Sequence, residues 1–311
     1  MNKKLGISVV IPLYNKCETI ARAIESVLAQ RDVMSEIIVV DDGSTDRSAD
    51  IVATFGNRVT LLSQANAGPA AARNRGASVA TFDNLVFLDA DDALGDGVLA
   101  AHLRVRAAWP EIRLSFASFD SIENGNVSPQ RLAERIGADP AQDVIWRDGF
   151  HPAFVINVPA ACFCVHRELL NKVGGYDDQL RCWEITDLAF RLALTGEYVA
   201  LPSACIVTVF RDNHNSQFER TRHNGAYIAR FAHRLMSELH RVPARHHPAI
   251  HARLRSLLHD LARSRDVTDF RSVGARFRRL QQAGVRTSRL THLTLLPNWC
   301  ISAVLAIMPG I

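Results

Sequence analysis

The chain has 311 residues, of which 48% are hydrophobic and 22% are charged. This composition is typical of a globular protein with one or two domains, and it excludes collagen-like, disulfide-dense and wholly disordered classes. The N-terminus passes directly into a strand-like run, without the longer apolar stretch and cleavage site of a signal peptide. The six cysteines form no CxxC pair and no zinc-like spacing. We therefore expect reduced thiols in a cytoplasmic protein.

The net charge of +4 hides an uneven distribution along the sequence. Residues 220–311 contain 16 arginines and four acidic residues, whereas residues 1–219 carry more acidic than basic side chains. Such asymmetry predicts two regions with different tasks. We expect one domain over residues 1–219 and an arginine-rich helical region with an apolar tail over residues 220–311.

Short apolar runs alternate with helical patterns over the first ninety residues. Runs rich in valine, isoleucine and leucine predict strands over residues 7–14, 36–41, 59–63 and 84–89. They are hydrophobic throughout rather than alternating, which is typical of strands buried on both faces of a parallel sheet. The intervening stretches predict helices over residues 19–30, 45–55 and 69–80. This order indicates an α/β fold with a mixed, mostly parallel sheet flanked by helices.

The pattern is weaker beyond residue 110. Strand-like stretches lie near residues 113–120, 161–166 and 198–209. Helical patterns predict helices over residues 185–195, 224–240, 246–264 and 269–283. The apolar tail at 293–311 is interrupted by prolines, which leaves about 11 continuous residues. That is too few for the roughly 20 residues that span a bilayer.

Polar residues follow three of the predicted strands at the point where each strand ends. Tyr14 and Asn15 follow the first, DDGSTD at 41–46 follows the second, and DADD at 89–92 follows the fourth. In open α/β sheets, ligands bind outside the carboxyl ends of the strands. The sequence therefore predicts a binding site at one edge of the sheet.

Asp89 and Asp91 lie two residues apart in the DADD segment. A turn directs both carboxylates toward one site, where Mg²⁺ or Mn²⁺ would bind carboxylate and phosphate oxygens together. The alternative is an acidic, solvent-exposed turn after a strand. An EF-hand is excluded, because Ala93, Leu94 and Ala100 occupy positions that need an oxygen ligand, a glycine and a glutamate.

Two further polar segments have a functional and a structural interpretation. Asp41 would accept hydrogen bonds from a nucleobase or a ribose hydroxyl, or the turn would merely let Ser44 or Thr45 cap the next helix. Arg73 lies one turn inside the helix predicted to begin at Pro69, near a helix end that favours anions. The alternative for Arg73 is a solvent-exposed helix face.

Taken together, four segments resemble the nucleotide-sugar-binding half of the family 2 glycosyltransferases, which have the Rossmann-like GT-A fold. They are SVVIPLYN at 8–15, DDGSTD at 41–46, NAGPAAARNRG at 66–76 and DADD at 89–92. The resemblance covers about residues 6–215. It implies inverting, metal-dependent transfer of a hexosyl group from a nucleotide diphosphate donor, UDP above all. The competing motifs GxGxxG and GxxxxGK[ST] do not occur after a strand in this sequence.

The resemblance also implies residue roles on the nucleotide side. Pro12, Tyr14 and Asp41 match positions that hold a uridine-type base, and we place Asp42 in the same nucleotide-binding group. Gly68 matches the loop that closes over the base and the diphosphate.

On the diphosphate side, the resemblance implies a cationic environment. Arg73 matches the helix that closes over the donor. Asp91 matches the direct ligand of Mn²⁺ or Mg²⁺, and Asp89 matches a contact to ribose or metal. His214 matches a residue that reaches back toward the metal and the diphosphate, where an imidazole nitrogen suits Mn²⁺.

The acceptor side departs from the family pattern. Inverting members carry a Glu-Asp pair at the start of a helix, and its Asp removes the acceptor proton. Here Glu184 is followed by Ile185, which cannot accept a proton. The candidates are Glu184, which we favour because a loop-to-helix position can direct it into the cleft, and Asp187, which also fits a helix-start residue. A further alternative is a non-catalytic sugar-nucleotide-binding or scaffold protein on the same fold.

We expect a nucleotide-sugar donor and a polysaccharide or lipid-linked acceptor in cell-surface glycan synthesis. The arginine-rich helices predict peripheral contact with anionic lipid at the inner face of the membrane, or else a solvated basic surface. No nucleic-acid partner is expected, because helix-turn-helix, zinc-finger and RNA-binding signatures are missing. A nucleotidyltransferase is disfavoured because no glycine-rich phosphate loop follows the first strand.

Overall fold

A computed structural model describes residues 5–147, 150–154, 158–211, 224–264 and 267–282. Contacts divide the chain into two compact units. The first is Met1–Asp178 with Glu184–His214, and the second is Gln179–Trp183 with Asn215–Ile311. The domain boundary predicted at residue 219 lies outside the described residues and stays a prediction.

The first unit begins with the predicted alternation of strands and helices. The strands are β1 (Ile7–Leu13), β2 (Ser35–Asp41), β3 (Thr60–Ser63) and β4 (Asn84–Phe87). The helices between them are α1 (Ile20–Leu28), α2 (Ser48–Ala53) and α3 (Pro69–Val79). Val9, Val10 and Ile11 in β1 are all fully buried. Both faces of this strand are therefore covered, as its continuous apolar run predicts.

Four later strands extend the same sheet. They are β6 (Leu114–Phe116), β9 (Val144–Trp146), β10 (Phe163–His166) and β11 (Val199–Leu201). Within the described residues, the order across the eight strands is β3-β2-β1-β4-β10-β6-β11-β9. β10 runs antiparallel to β4 and β6, and β9 runs antiparallel to β11. The other neighbours are parallel, so the sheet is mixed and mostly parallel, as predicted.

A second, four-stranded sheet was not predicted as a separate layer. Its strands are β5 (Ala93–Leu94), β7 (Ser118–Glu123), β8 (Asn126–Gln130) and β12 (Ile206–Phe210). Their order in the described chain is β5-β12-β7-β8. β5 follows the DADD segment directly and pairs with β12, so this sheet connects the end of β4 to a much later part of the chain.

Four more helices complete the described part of the first unit. They are α4 (Val98–Ala108), α5 (Leu132–Arg135), α6 (Arg167–Lys172) and α7 (Glu184–Ala193). α4 escaped prediction because its buried side chains, including Val98, Leu99, Leu103 and Val105, surround much of the helix. They leave no single apolar stripe of the kind that identifies an amphipathic helix.

Helix α3 packs directly on β1 and β2. A Cβ atom on Gly76 would overlap the side chain of Val10. On the neighbouring strand, Ala72 packs against Ile38 and Val40. The small residues of NAGPAAARNRG thus bring α3 close to the sheet, and they carry Arg73 into a buried position rather than onto a solvent-exposed face.

From residue 224 onward, the described part of the second unit is mainly helical, as predicted. Its long helices are α8 (Gly225–Ser237), α9 (His247–Ser264) and α10 (Val267–Gln282). Asn224 caps α8 by accepting hydrogen bonds from two backbone amides of the first turn. Phe231, Leu254 and Phe270 are fully buried, so each helix has an apolar face inside this unit. Across the residues described, none of the helices combines the length and apolarity needed to cross a bilayer. The apolar tail at 293–311 lies outside them.

Candidate active site

Three adjacent strands bring their carboxyl ends to one edge of the sheet. β1 lies between β2 and β4 and is parallel to both. Leu13 pairs with Asp41, and the backbone N–H of Leu88 donates to the carbonyl oxygen of Val10. Asp41 and Asp89 therefore emerge at the same edge, two strand spacings or roughly 10 Å apart. The predicted convergence of these strand ends is confirmed.

Arg73 links two carboxylates that are distant in the sequence. Its Nη2 donates to Asp89 Oδ1 at 2.6 Å, and its Nη1 donates to Glu184 Oε1 at 2.9 Å. Arg73 is 3% exposed, and a charge in such a place is stable only when it is paired. Burial acts to lower the pKa of Arg73, but Asp89, Tyr176 and Glu184 outweigh it, so the pKa is raised. The predicted base Glu184 is thus linked to Asp89 of the DADD segment through the guanidinium group of Arg73.

Two basic side chains of the region after β1 contact Asp91. Lys16 Nζ lies 2.6 Å from Asp91 Oδ2, and Arg22 Nη2 donates to the Asp91 carbonyl oxygen at 2.6 Å. The guanidinium carbon of Arg22 lies 3.7 Å from the ring centroid of Phe210. Neither Lys16 nor Arg22 was predicted from the sequence to belong to the site. The available signal was a lysine immediately after Tyr14-Asn15 and an arginine in the first turn of α1.

Asp92 holds the DADD loop against β12. It is buried, and its Oδ1 accepts a hydrogen bond from the backbone N–H of Phe210 at 3.1 Å. Burial, together with the nearby carboxylates of Asp89 and Asp91, raises the pKa of Asp92 well above its ordinary value. The environment of Asp92 therefore differs from that of Asp89 and Asp91, which are partly exposed.

The carboxylates of Asp89 and Asp91 suit a hard divalent cation. Their side chains are 27% and 19% exposed and supply oxygen ligands. In the described part of the chain, no group of three or more His, Cys, Asp or Glu side chains is placed to hold a metal. A Mg²⁺ or Mn²⁺ ion here would therefore need further oxygens from substrate phosphates and water, as Mg²⁺ sites commonly do. His214, the third predicted ligand, lies outside the described residues.

Asp42 fixes the loop that precedes α3. Its Oδ1 accepts hydrogen bonds from Gln64 Nε2 and Ala67 N, and its Oδ2 accepts one from Gly68 N, each at 2.8 Å. Gly68 has φ +95°, a conformation that favours glycine. The structure thus gives Asp42 a role in shaping the loop, and its predicted contact with a nucleotide stays a prediction.

The loops after β1 and β2 are joined to each other. Asn15 N donates to Ser44 Oγ at 3.1 Å, and Thr45 N donates to Asn15 Oδ1 at 2.8 Å. Ser44 and Thr45 do not cap α2, because that helix begins at Ser48 and receives no side-chain cap. The capping interpretation of these two residues was therefore wrong, and the turn instead shapes the edge where Asp41 lies.

Other residues predicted to hold the nucleobase lie at this edge. Pro12 and Tyr14, at the end of β1, are partly exposed. Asp41 is 7% exposed, and its Oδ1 accepts a hydrogen bond from Ser44 N at 3.1 Å. Whether these three residues bind a base stays a prediction.

Asp187 has a different environment from Glu184. It is fully buried, and its Oδ2 accepts from Arg191 Nε at 2.8 Å and lies 2.7 Å from Arg191 Nη2. Arg191 Nη1 in turn donates to the carbonyl oxygens of Val173 and Gly175. The Asp187–Arg191 pair connects α7 to the loop before it. Glu184, in contrast, contacts Arg73, which also binds Asp89. The geometry therefore favours Glu184 over Asp187 as a residue of the site.

Replacing Asp187 with Asn is expected to lower the free energy of unfolding by about 3 kcal/mol, because Arg191 would lose its buried counter-charge. Urea denaturation followed by circular dichroism measures this loss. As a matched control, Lys172→Met removes an exposed ion pair with Glu197 and should cost less than about 1 kcal/mol. Equal, small losses in both variants would contradict the structural role of Asp187.

A cavity of about 280 Å³ lies at another place in the first unit. Asn84, Arg106 and His166 are among its lining residues. Asn84 is the first residue of β4, whereas Asp89 lies two residues beyond its last residue, Phe87. The cavity therefore opens at the opposite edge of the sheet from the carboxylates and is separate from the candidate site.

Comparison with known proteins places this geometry in a family. The sequence profile described as "Glycosyl transferase family 2" matches residues 8–136. The succinoglycan biosynthesis protein ExoO of Rhizobium meliloti (strain 1021) is 31% identical over 240 residues, which cover 74% of this chain and 68% of ExoO. The uncharacterized glycosyltransferase YibD of Escherichia coli (strain K12) is 45% identical over 95 residues, which cover 30% of this chain and 28% of YibD. Against YibD and two Rickettsia glycosyltransferases, the match spans only 28% to 32% of the relative's length.

The fold has a counterpart among solved structures. The crystal structure of S. aureus TarS 1-349 in complex with UDP-GlcNAc matches with a TM-score of 0.61 at 16% identity, covering 88% of this chain and 92% of that one. A likeness at this identity concerns the fold, and it confirms the predicted GT-A architecture. Because ExoO is matched over two thirds of its length and the family profile covers the strand ends of the site, the chain belongs to glycosyl transferase family 2.

Proposed function

We propose that the protein is an inverting, metal-dependent hexosyltransferase. Its donor is a sugar linked to a nucleotide diphosphate, and we propose UDP as that nucleotide. The observation that carries this proposal is the bridge from Asp89 through Arg73 to Glu184. The bridge joins a carboxylate expected beside the diphosphate to the residue expected to take the acceptor proton. A single in-line displacement needs a base and a leaving group positioned around one anomeric carbon.

The proposed reaction proceeds in one displacement. Glu184 accepts the proton of the acceptor hydroxyl while that oxygen forms a bond to the anomeric carbon. The bond between the anomeric carbon and the diphosphate oxygen breaks, its electron pair leaves with the nucleoside diphosphate, and the configuration inverts. A bound Mg²⁺ or Mn²⁺ supplies positive charge that stabilises the departing diphosphate. Arg73 adds a fixed positive charge beside Asp89.

We assign direct metal coordination to Asp91 and a supporting contact to Asp89. Asp89 accepts from Arg73, which is buried and also held by Glu184, so this partner cannot easily move away. Asp91 pairs with Lys16, whose partly exposed side chain has a flexible four-carbon stem. The Asp91 carboxylate is therefore the one that can exchange its partner for a divalent cation. His214 remains the proposed third contact to the cation.

The relatives support the proposed substrates. TarS has been crystallised with UDP and with UDP-GlcNAc, which supports a uridine diphosphate donor held by Pro12, Tyr14 and Asp41 under a loop that includes Gly68. ExoO and ExoU of Rhizobium meliloti are named for succinoglycan biosynthesis, which supports a polysaccharide or lipid-linked acceptor.

A donor-binding experiment tests this proposal. Purified protein is screened by thermal shift against UDP-, GDP- and dTDP-linked sugars with and without Mn²⁺, and the best donor is then assayed for sugar transfer and for hydrolysis. We expect stabilisation by UDP-sugars that requires Mn²⁺, followed by turnover. The absence of any nucleotide-dependent stabilisation would reject the proposed function.

The non-catalytic alternative has one observation in its favour. Ile185 occupies the position where inverting relatives carry their base, and it packs against the hydrophobic core. A sugar-nucleotide-binding or scaffold protein would bind the donor with Mn²⁺ but would neither transfer nor hydrolyse it. The same assay therefore separates this alternative from the enzyme.

We further propose that the arginine-rich helices hold the protein at the cytoplasmic face of the membrane. Arg245 and Arg263 are exposed in the second unit. Each basic residue near an anionic lipid surface contributes about 1 kcal/mol of binding, so the double substitution of Arg245 and Arg263 by Gln should weaken vesicle binding about thirtyfold.

Co-sedimentation with vesicles of phosphatidylcholine and phosphatidylglycerol measures this effect. Replacing Arg113 and Arg147, two exposed arginines of the first unit, by Gln removes the same charge and should leave binding nearly unchanged. Equal weakening in both double variants, or equal binding to pure phosphatidylcholine, would reject the proposed membrane contact.

A further inference from the structure

The backbone of Lys16 is fixed between two helices. Its N–H donates to Ser48 Oγ at 2.8 Å, at the start of α2. Its carbonyl oxygen accepts from Thr19 N at 3.1 Å and from Ile20 N at 3.0 Å, at the start of α1. The side chain therefore extends from a rigid position, and only its own rotations decide where the ammonium group lies.

The ammonium group of Lys16 contacts the carboxylate to which the proposed function assigns the metal ion. Lys16 Nζ is 2.6 Å from Asp91 Oδ2, and both side chains are less than one-fifth exposed. A divalent cation on this carboxylate oxygen would meet the ammonium at close range, where like charges repel strongly in a partly buried place. Lys16 must therefore leave Asp91 before that oxygen can coordinate a metal.

The adjacent ion pair does not have this freedom. Arg73 is held by both Asp89 and Glu184 and is buried. Arg22 holds the DADD loop through the backbone carbonyl of Asp91 rather than its carboxylate. The loop can thus stay in place while the Lys16 side chain moves. The diphosphate of a donor would supply a new anionic partner for Lys16 at the same edge of the sheet.

We propose that Lys16 is a built-in counter-ion of the donor site, which neutralises Asp91 in the absence of donor and transfers to the donor diphosphate when a divalent cation takes Asp91. This inference rests on the proposed function. In this role, Lys16 couples metal binding to nucleotide binding, so that each ligand increases the affinity of the protein for the other. Such coupling is reciprocal by thermodynamic necessity.

Binding of Mn²⁺ alone and of Mn²⁺ with UDP tests the proposal without any turnover. Free Mn²⁺ is measured by electron paramagnetic resonance with the full chain. In Lys16→Met and Lys16→Gln, the Kd of Mn²⁺ alone should fall on the order of tenfold, because no ammonium competes for Asp91. The gain in Mn²⁺ affinity on adding UDP should shrink by a similar factor.

Two control variants test whether the change in Mn²⁺ affinity comes from the loss of the positive charge at Lys16. Lys16→Arg retains the positive charge and should leave the Kd of Mn²⁺ within about twofold of the wild-type value. Lys172→Met removes a lysine from an exposed ion pair and should also change nothing. The thermal midpoint of each variant, measured in parallel, verifies that the protein is folded.

The outcomes are distinct. Unchanged or weaker Mn²⁺ binding in folded Lys16→Met and Lys16→Gln, with normal Mn²⁺-dependent UDP binding by the wild type, overturns the role of Lys16 and leaves the proposed function standing. If the wild type binds no Mn²⁺ even with UDP present, the proposed metal-dependent function fails and the role of Lys16 fails with it.

Discussion

Replacing Glu184 with Gln is expected to lower kcat for sugar transfer by about a thousandfold, while the affinity for the donor changes little. Gln keeps the size of the side chain and can still accept a hydrogen bond from Arg73, but it cannot take a proton from the acceptor. A positioned general base typically contributes between about a hundredfold and ten-thousandfold to a rate. Initial rates at saturating donor, together with titration calorimetry of UDP and Mn²⁺, measure the two quantities separately.

Asp187→Asn is the matched control, because it changes a carboxylate on the same helix that is bound by Arg191 instead. Its kcat per folded molecule should remain within about threefold of the wild-type value, although the protein loses stability. The opposite pattern, with full activity in Glu184→Gln and a large loss in Asp187→Asn, would move the base to Asp187. Full activity in both variants would show that the base lies elsewhere.

The second large effect is expected at Asp91. Asp91→Asn should reduce transfer by at least about a thousandfold, because charge stabilisation by a metal ion is worth several kcal/mol in the transition state. It should also lower the affinity for UDP with Mn²⁺ to the value that the wild type shows without Mn²⁺. The measurements are transfer rates and calorimetric titrations of UDP with and without the metal.

Asp96→Asn is a suitable control for this variant. Asp96 is an exposed carboxylate between β5 and α4, and its replacement should leave both measurements near wild type. Normal transfer by Asp91→Asn, or UDP binding that never depended on the metal, would remove Asp91 from the metal site.

The sheet that carries the site could be predicted from local sequence. The central residues of β1 (9–11) and β2 (37–40) are apolar without alternation, and in the structure they are buried on both faces. Parallel order then forces the residues after these strands to one edge, which is why Asp41 and Asp89 were correctly expected together. Here periodicity and chain direction were sufficient.

Elements that depend on distant partners could not be predicted in this way. β5 has two residues and exists because it pairs with Val207 and Thr208 of β12. Helix α4 is buried on much of its surface and shows no apolar stripe. No local pattern identifies either of them, because their stability comes from tertiary contacts.

The site itself was only partly predictable for the same reason. Asp89 and Asp91 stand out by their spacing after a strand, but their partners do not. Lys16 reaches Asp91 through the fold. Arg73, which was expected near the donor, joins Asp89 to Glu184 across distant parts of the chain. Asp42 shows the converse case, since the carboxylate expected to bind nucleotide also accepts three hydrogen bonds from its own chain, which no local pattern indicates.

The most direct test is to locate the cation in crystals grown with UDP and Mn²⁺. An anomalous difference map recorded at the manganese absorption edge is predicted to show a peak within about 2.5 Å of an Asp91 carboxylate oxygen and beside the UDP diphosphate. Asp41 should lie near the uracil in the same crystals. A manganese peak at another edge of the sheet, or UDP bound away from Asp89 and Asp91, would contradict the account.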